Sequence, residues 1–305
     1  MMRRKTLTAC AVAFVALLAG TDANAQATPK ARSGMLVTTA WLADHARDRD
    51  LVLLHVGRRA QYDSAHIAGS RHVTLAEISA PNTPGALSLQ MPDSARLREW
   101  AESNGIGDRT RVIVVPHDDT LQAATRVFIT LAYMGAFDRT SLLDGGFKTW
   151  RAEGRAVTAD AAPAPAPAKF TLRLKPEIIA TVDQVEVATR DAGAAIVDAR
   201  LQRFYEGNGG GYPRAGHIPT AVNIPLNTVS TADGKLRTPA ELRKLFLDAG
   251  VKHGKPVVTY CHIGQQATLL WFAASLLGYD ARMFDGSFQE WSRTERLPVV
   301  GPVVK

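Results

Sequence analysis

The chain has 305 residues, of which 46% are hydrophobic, and its 36 lysines and arginines exceed its 29 aspartates and glutamates to give a net charge of +7. This composition is typical of a globular protein and excludes a largely disordered chain, a collagen and a coiled coil. With only two cysteines, the chain can form neither a disulfide-rich scaffold nor a cysteine-rich zinc or iron–sulfur site.

The first 25 residues have the pattern of a secretory signal peptide. Basic residues at 3–5 precede an apolar run from Leu7 to Gly20, and Ala23-Asn24-Ala25 supplies the small residues of a cleavage site. The run is shorter than the roughly 20 residues that span a bilayer, so an uncleaved anchor is the weaker alternative. Cleavage removes three basic residues and one acidic residue, which lowers the net charge to +5, and it leaves Cys261 as the single thiol. We therefore expect a periplasmic or secreted protein without a membrane segment after cleavage.

An alanine–proline stretch divides the rest of the chain into two similar halves. Residues 162–168 alternate alanine with proline, which favours an extended and semi-rigid linker. AHIAGS at Ala65 is answered by GHIPTA at Gly216, and LDGGFKTW at Leu143 is answered by FDGSFQEW at Phe284. Because these matches keep their order, duplication of one unit explains them better than chance. We predict a first domain at 36–156, a linker at 157–175 and a second domain at 176–300.

Strand-like runs alternate with helical patterns in the second half. The threonine cap, proline and glutamate of Thr238-Pro239-Ala240-Glu241 open a helix that runs to about Ala249, and an apolar helix follows at about 265–277. The alternation predicts a mostly parallel α/β sheet flanked by helices in each half. Such sheets place their active sites at the carboxyl ends of strands. The predicted strands are 194–197, 221–224, 256–260 and 281–284.

The single remaining thiol follows the third of these strands. Cys261 begins a loop that contains Gly264 and turns straight into the apolar helix. Such a loop can aim several backbone N–H groups at one point, and the helix dipole adds partial positive charge there. Since this environment favours a thiolate, we interpret Cys261 as a nucleophile rather than as a small buried hydrophobic residue.

Four motifs together resemble the tandem two-domain type of the rhodanese family of sulfurtransferases. They are CHIGQQAT at Cys261, GHIPTAVNIP at Gly216, VDAR at Val197 and DGSFQEW at Asp285, and the resemblance covers nearly the whole mature chain. It implies that the Cys261 thiolate takes sulfur from a small anionic donor as a persulfide and passes it to cyanide or a thiol. The cycle would use no metal and no organic cofactor. Thiosulfate is the expected donor. The alternative, 3-mercaptopyruvate, stays open because the residues after Cys261 match neither type of relative.

The resemblance also implies which residues bind substrate. Arg200 corresponds to an arginine near the family's active site and could hold the donor's anionic group, with Arg203 and Arg214 as weaker candidates. The loop after the cysteine would cradle the sulfur with its N–H groups, those from His262 to Ala267 being the candidates. The loop residues assigned to substrate binding are His262, Ile263, Gly264, Gln265 and Gln266.

The first half does not carry the same chemistry. An ungapped count back from Gly135, matched to the count back from Gly278, places Asp118 opposite Cys261. A carboxylate cannot accept a sulfur atom, so we expect the first domain to be non-catalytic and to help shape the cleft. We further expect a monomer. Because the basic residues are not clustered, we expect no binding of nucleic acid.

Two other functions remain to be weighed. A phosphatase with a cysteine loop needs an arginine six residues after the cysteine. That position is Ala267 here, which argues against a phosphatase. A persulfide carrier or binding module without turnover has the same sequence features as an enzyme, so only turnover separates the two.

Overall fold

The computed structural model describes residues 31–301, so the predicted signal peptide lies outside the described residues. Export, and with it a periplasmic or secreted location, stays a prediction from the sequence. Within 31–301, no helix is both long enough and apolar enough to cross a membrane.

The first half folds into a five-stranded sheet whose strands are all parallel, in the order β1-β5-β4-β2-β3. Its strands are β1 (Leu36–Val37), β2 (Leu51–Val56), β3 (Arg71–Val73), β4 (Arg111–Pro116) and β5 (Thr140–Leu143). Its helices are α1 (Thr39–His45), α2 (Arg59–Ser64), α3 (Ser94–Ser103), α4 (Leu121–Leu131) and α5 (Gly146–Ala152).

The second half repeats this topology. Its five strands are also parallel, in the order β6-β10-β9-β7-β8, which is the order of the first sheet shifted by five strands. Its strands are β6 (Ile179–Ala180), β7 (Ala195–Asp198), β8 (Val222–Asn223), β9 (Val257–Tyr260) and β10 (Ala281–Phe284). Its helices are α6 (Val182–Asp191), α7 (Gln202–Tyr205), α8 (Pro239–Asp248), α9 (Ala267–Leu276) and α10 (Ser287–Arg293).

The structure confirms the α/β class, the parallel sheets and the duplication. The local signals also hold: α8 begins where its capping residues predict, since Thr238 Oγ1 accepts from the Glu241 N–H and Glu241 Oε2 accepts from the Thr238 N–H. The apolar segment predicted at 265–277 forms α9, whose ten residues are all buried. A helix that is apolar on every side needs cover all round, which predicts contact with more than its own sheet.

That cover comes from the first half. Every residue of α4 from Ala124 onward is buried, and α4 packs against α9 across the domain boundary. The Phe128 ring meets the Phe272 ring edge to face, with centroids 4.9 Å apart. One hydrophobic core therefore runs through both halves, and α4 is fixed beside the segment that leads from Cys261 into α9.

The alanine–proline stretch follows the surface of the first half. Residues 161–175 contain no helix or strand, in line with an extended linker. Arg71 Nη1 donates to the Pro163 carbonyl at 3.0 Å, and the Phe170 side chain is buried. These contacts hold the connection against the first domain.

Candidate active site

Cys261 is the first residue after the central strand of the second sheet. β9 lies between β7 and β10, and its last residue, Tyr260, is in register with Asp198. The cysteine is free and fully buried. The loop 261–266 leads directly into α9. Strand end, glycine-containing loop and helix start therefore meet at this thiol.

Hydrogen bonds from α10 hold the first two loop carbonyls on the outer side of the loop. The N–H groups of Phe288 and Gln289 donate to the carbonyls of Cys261 and His262, each at 3.0 Å. A trans peptide is planar, so the N–H of the next residue points opposite to each carbonyl. The N–H groups of His262 and Ile263 are therefore directed away from α10.

The third outward carbonyl is held by the first domain. Arg126 Nη1, from α4, donates to the Gly264 carbonyl at 3.2 Å. The same planarity directs the Gln265 N–H away from the domain boundary. Three peptides of one loop thus have their carbonyls fixed by partners outside the loop.

The N–H groups of this loop are left as donors. Within residues 31–301, no backbone or side-chain acceptor takes a hydrogen bond from the N–H groups of residues 262–266. Buried or half-buried donors without partners are costly unless an anion or water satisfies them. The loop therefore offers N–H donors that suit a negative charge, such as that of a thiolate or a persulfide sulfur.

The side chains of the predicted loop residues lie in different surroundings. His262, Ile263, Gln265 and Gln266 are half-buried, whereas Gly264 is buried. The Gln266 Oε1 atom is buried and has no hydrogen-bond partner among the described residues. Substrate binding by these residues stays a prediction. What they share is a backbone N–H group in the loop, not a type of side chain.

Gly264 has a conformation that an L side chain would strain. Its φ is +80°, in the left-handed region. A Cβ on this residue would lie 2.6 Å from the Asp285 carbonyl oxygen. Glycine is thus required here both by its backbone angle and by the close approach of the β10–α10 turn.

Ser287 is a site residue that the sequence reasoning missed. Its Oγ accepts from the Cys261 N–H at 3.1 Å and donates to the Phe284 carbonyl at 2.9 Å. Its own φ is +51°, which is unusual for serine. The serine fixes the position of the cysteine backbone, and its place in the repeated DGSFQEW segment is the only signal that pointed to it.

Arg200 lies beneath the site in a buried ion pair. Its Nη2 donates to Asp198 Oδ2 at 2.6 Å and to the Gly216 carbonyl at 2.7 Å, and its guanidinium lies 4.1 Å from the centre of the Phe288 ring. The side chain is 1% exposed. Its direct contact with a donor stays a prediction, while its visible role is to support the strand end and Phe288.

The weaker arginine candidates have other roles in the structure. Arg214 donates to four backbone carbonyls around the end of α10, those of Trp291, Ser292, Thr294 and Leu297. Arg203 is exposed and lies over the Phe204 ring. Contact of either guanidinium with substrate stays a prediction.

An aromatic group surrounds His262. The Tyr212 hydroxyl is hydrogen-bonded to His262 Nδ1 at 2.6 Å, and the Phe204 ring meets the imidazole edge to face. Burial and the nearby Arg200 charge lower the pKa of His262 to about 4, so its imidazole is neutral at pH 7. Burial and the negative charge of Cys261 raise the pKa of Tyr212 to about 12. Tyr212 follows three glycines and belongs to none of the four motifs that carry the resemblance, so its role was not visible in the sequence.

The first domain reaches over the site through the segment before α3. The Met91 N–H donates to Asp285 Oδ2 at 2.8 Å, and the Ser88 N–H donates to Gln289 Oε1 at 2.8 Å. Asp285 also accepts from Arg126 at 2.6 Å, and Arg126 is wholly buried. Loss of one partner from such a buried pair typically costs about 3–5 kcal/mol, because the other charge is left buried and unpaired.

His217, in the GHIPTAVNIP segment, has a structural role. Its ring stacks on Tyr205 at 3.8 Å, and its Nδ1 is hydrogen-bonded to the Tyr205 carbonyl at 2.8 Å. The first domain repeats this arrangement with His66 stacked on Tyr62 at 3.8 Å. The repeated histidines anchor the turn before a strand.

The residue opposite Cys261 in the first domain is His117, and the assignment of Asp118 is wrong. Pro116 is in register with Val56 as Tyr260 is with Asp198, so the residue that follows the strand is His117. The stretch from this position to the glycine after the helix, Gly135 in the first half and Gly278 in the second, is one residue longer in the first half. An ungapped count cannot detect that residue. An imidazole cannot form a persulfide either, so the expectation of a non-catalytic first domain stands.

At the strand end of the first domain that corresponds to the position of Cys261, the structure has a buried histidine pair. His55 Nε2 and His117 Nδ1 are hydrogen-bonded at 3.0 Å, and both rings pack against Phe147. His55 is fully buried. Burial, together with the neighbouring His117, His66 and His72, lowers the pKa of His55 to about 3.

We expect this pair to make the protein less stable in acid. An unfolded histidine has a pKa near 6.5, so below that pH the unfolded chain binds a proton that folded His55 does not bind. The contribution of His55 to the free energy of unfolding is fully present above pH 6.5 and is lost as the pH falls toward 3. Between pH 7 and pH 5 this residue alone lowers the free energy of unfolding by about 2 kcal/mol. Urea unfolding at the two pH values measures the loss. His55→Gln, which cannot titrate, should reduce it by that amount, and an equal loss in both proteins would contradict the assignment.

The chain is similar to proteins of one domain family over most of its length. The family model described as the rhodanese-like domain matches twice, at residues 38–153 and 181–294. The thiosulfate sulfurtransferase of Rattus norvegicus is 31% identical over 280 residues, which cover 85% of this chain and 92% of that protein. The 3-mercaptopyruvate sulfurtransferase of the same organism is 29% identical over 275 residues, covering 84% and 91%.

Solved structures share the fold. SseA from Escherichia coli, described as a 3-mercaptopyruvate sulfotransferase with the rhodanese fold, is 25% identical with a TM-score of 0.75, over 83% of this chain and 98% of that chain. EanB in complex with ergothioneine is 22% identical with a TM-score of 0.78, over 89% and 71%. At that identity the second likeness concerns the fold alone.

Proposed function

This chain belongs to the rhodanese family of sulfurtransferases, and we propose that it transfers the outer sulfur atom of thiosulfate, through a persulfide on Cys261, to cyanide or a thiol acceptor. The observation that carries the proposal is the loop after Cys261. Its carbonyls are fixed outward, and its N–H groups from 262 to 266 have no acceptor within the described residues.

The proposed cycle has two displacement steps. The Cys261 thiolate attacks the outer sulfur of thiosulfate, an S–S bond forms, and sulfite leaves with the electron pair of the broken S–S bond. Cyanide then attacks the outer sulfur of the persulfide and leaves as thiocyanate, which restores the thiolate. The negative charge stays on sulfur at the centre of the loop in both resting forms. Fixed N–H groups stabilise that charge without reorganisation during the reaction.

We propose thiosulfate rather than 3-mercaptopyruvate as the donor, and the argument concerns the proton that the leaving group needs. Sulfite leaves as a stable anion, whereas pyruvate leaves as an enolate that has to be protonated. At pH 7 neither neighbour is a good acid, because the pKa of His262 is lowered to about 4 and that of Tyr212 is raised to about 12. The donor that needs no proton therefore suits this site better.

We expect thiosulfate to add the mass of one sulfur atom to Cys261, and cyanide to remove it. Mass spectrometry of the intact protein, followed by peptide mapping, measures both steps. The same assay with 3-mercaptopyruvate tests the choice of donor. Faster labelling by 3-mercaptopyruvate would overturn that choice and leave persulfide chemistry in place.

Turnover separates an enzyme from a persulfide carrier. An enzyme forms many equivalents of thiocyanate from thiosulfate and cyanide, whereas a carrier stops after one. A single equivalent with every donor and acceptor pair would contradict the enzymatic function.

A further inference from the structure

One support of the loop 261–266, here called the catalytic loop, comes from the first domain. Arg126 lies on α4 of the first half and is 0% exposed. Its Nη1 donates to Asp285 Oδ1 at 2.6 Å and to the Gly264 carbonyl at 3.2 Å, and its Nη2 donates to the Leu89 carbonyl. One guanidinium therefore joins α4, the segment before α3, the β10–α10 turn and the catalytic loop.

The peptide that Arg126 holds is the one in the loop that can flip most easily. Gly264 has no Cβ, so the peptide between Gly264 and Gln265 can rotate at little steric cost. If it rotated, the carbonyl oxygen would move toward the inside of the loop and the Gln265 N–H toward the outside. A carbonyl dipole facing the sulfur would oppose a thiolate or persulfide, whereas an N–H group stabilises it.

The other outward carbonyls of the loop do not depend on the first domain. Those of Cys261 and His262 accept from α10, which belongs to the same half. Asp285 is not bonded to the Gly264 carbonyl, since both are acceptors, and it holds the guanidinium instead. The direction of the Gln265 N–H is thus set by a residue of the domain that carries no catalytic thiol.

We propose that Arg126 is a positioning residue for the sulfur-binding loop, so that the first domain contributes to the reactivity of Cys261. The proposal rests on the sulfurtransferase function proposed above. Arg126 acts through the Gly264 peptide and not by contact with substrate.

The test compares variants that separate positioning from folding. In Arg126→Met/Asp285→Asn the buried charge pair is removed as a whole, which avoids leaving one charge unpaired. Arg126→Lys keeps the charge but lacks the fork that reaches Asp285, Gly264 and Leu89 together. Thr125→Val is the matched control, because Thr125 Oγ1 makes a buried hydrogen bond to Thr268 Oγ1 across the same boundary at 2.7 Å.

For each variant, thermal unfolding, kcat and KM for thiosulfate, and the rate of Cys261 alkylation by iodoacetamide against pH are measured. In the folded Arg126 variants we expect kcat to fall about 10- to 100-fold with a smaller change in KM. The midpoint of alkylation should rise by about one pH unit, because the thiolate loses a directed N–H group. Thr125→Val should stay within about threefold of the original kcat and keep the alkylation midpoint.

Two results would overturn the proposal. The first is a folded Arg126 variant whose alkylation profile and kcat are the same as those of the original protein. The second is a Thr125→Val variant whose kcat and alkylation midpoint change as much as those of the Arg126 variants. Should one Arg126 variant not fold, the other gives the answer. If the original protein forms no persulfide with any donor, the proposed function fails, and the alkylation profiles still decide whether Arg126 positions the loop.

Discussion

Replacing Cys261 by serine is expected to lower the rate of sulfur transfer at least about 1,000-fold, since a hydroxyl can neither ionise at neutral pH nor form a persulfide. The Oγ would still lie within the same loop, so binding of the donor could persist while chemistry stops. Thiocyanate formation and the sulfur adduct seen by mass spectrometry measure the loss.

The fold should tolerate this change. Cys261 is buried and makes no disulfide, and serine is of similar size, so the variant should unfold cooperatively like the original protein. Cys261→Ala serves as a second variant without a polar side chain. Appreciable turnover in both folded variants would move the sulfur-accepting role to another group and overturn the proposed mechanism.

Gly264→Ala is expected to produce the second largest loss, about 100-fold in kcat, because displacement of a reacting group by about 1 Å can cost that much. The added Cβ would lie 2.6 Å from the Asp285 carbonyl oxygen, on a residue whose φ is +80°. Either the loop or the β10–α10 turn has to shift. We also expect about 1–3 kcal/mol lower stability from the strained backbone.

Gly250→Ala is the matched control for that variant. Gly250 has a similar φ of +85° and lies after α8, and a Cβ there would meet no atom within 4 Å. The backbone strain is therefore comparable, while the space around the residue is open and distant from Cys261. Steady-state kinetics and urea unfolding of both variants separate strain from displacement of the loop. Equal kcat in the two variants would show that the geometry at Gly264 is not needed for turnover.

The sequence was sufficient for the features that are local in the chain. The Thr238 capping signal predicted the start of α8, and alternation of strand-like and helical runs predicted parallel sheets with Cys261 at a strand end. These features depend on residues within a few positions of one another, where side-chain spacing and backbone preference act directly. Motifs repeated in order likewise predicted two copies of one unit, and the two sheets have the same strand order.

The surroundings of the thiol were decided by contacts between distant residues. Arg126 and Asp285 are 159 positions apart, and Ser287 is 26 positions from Cys261. Neither distance leaves a periodic pattern, because the partners belong to separate elements. Packing of α4 on α9 brings Arg126 to Asp285, and pairing of β9 with β10 brings Cys261 to Ser287. The single residue that moves His117, and not Asp118, opposite Cys261 is equally invisible to a count along one helix.

The sequence by itself thus determined the family and the two-domain plan and predicted the nucleophile, since each depends on residue types in order along the chain. Only the tertiary structure decided how the peptides of the 261–266 loop are oriented. The physical reason is that an N–H group is directed by the partner of the preceding carbonyl, and those partners are Phe288, Gln289 and Arg126. One of the three belongs to the domain that the sequence marks as non-catalytic.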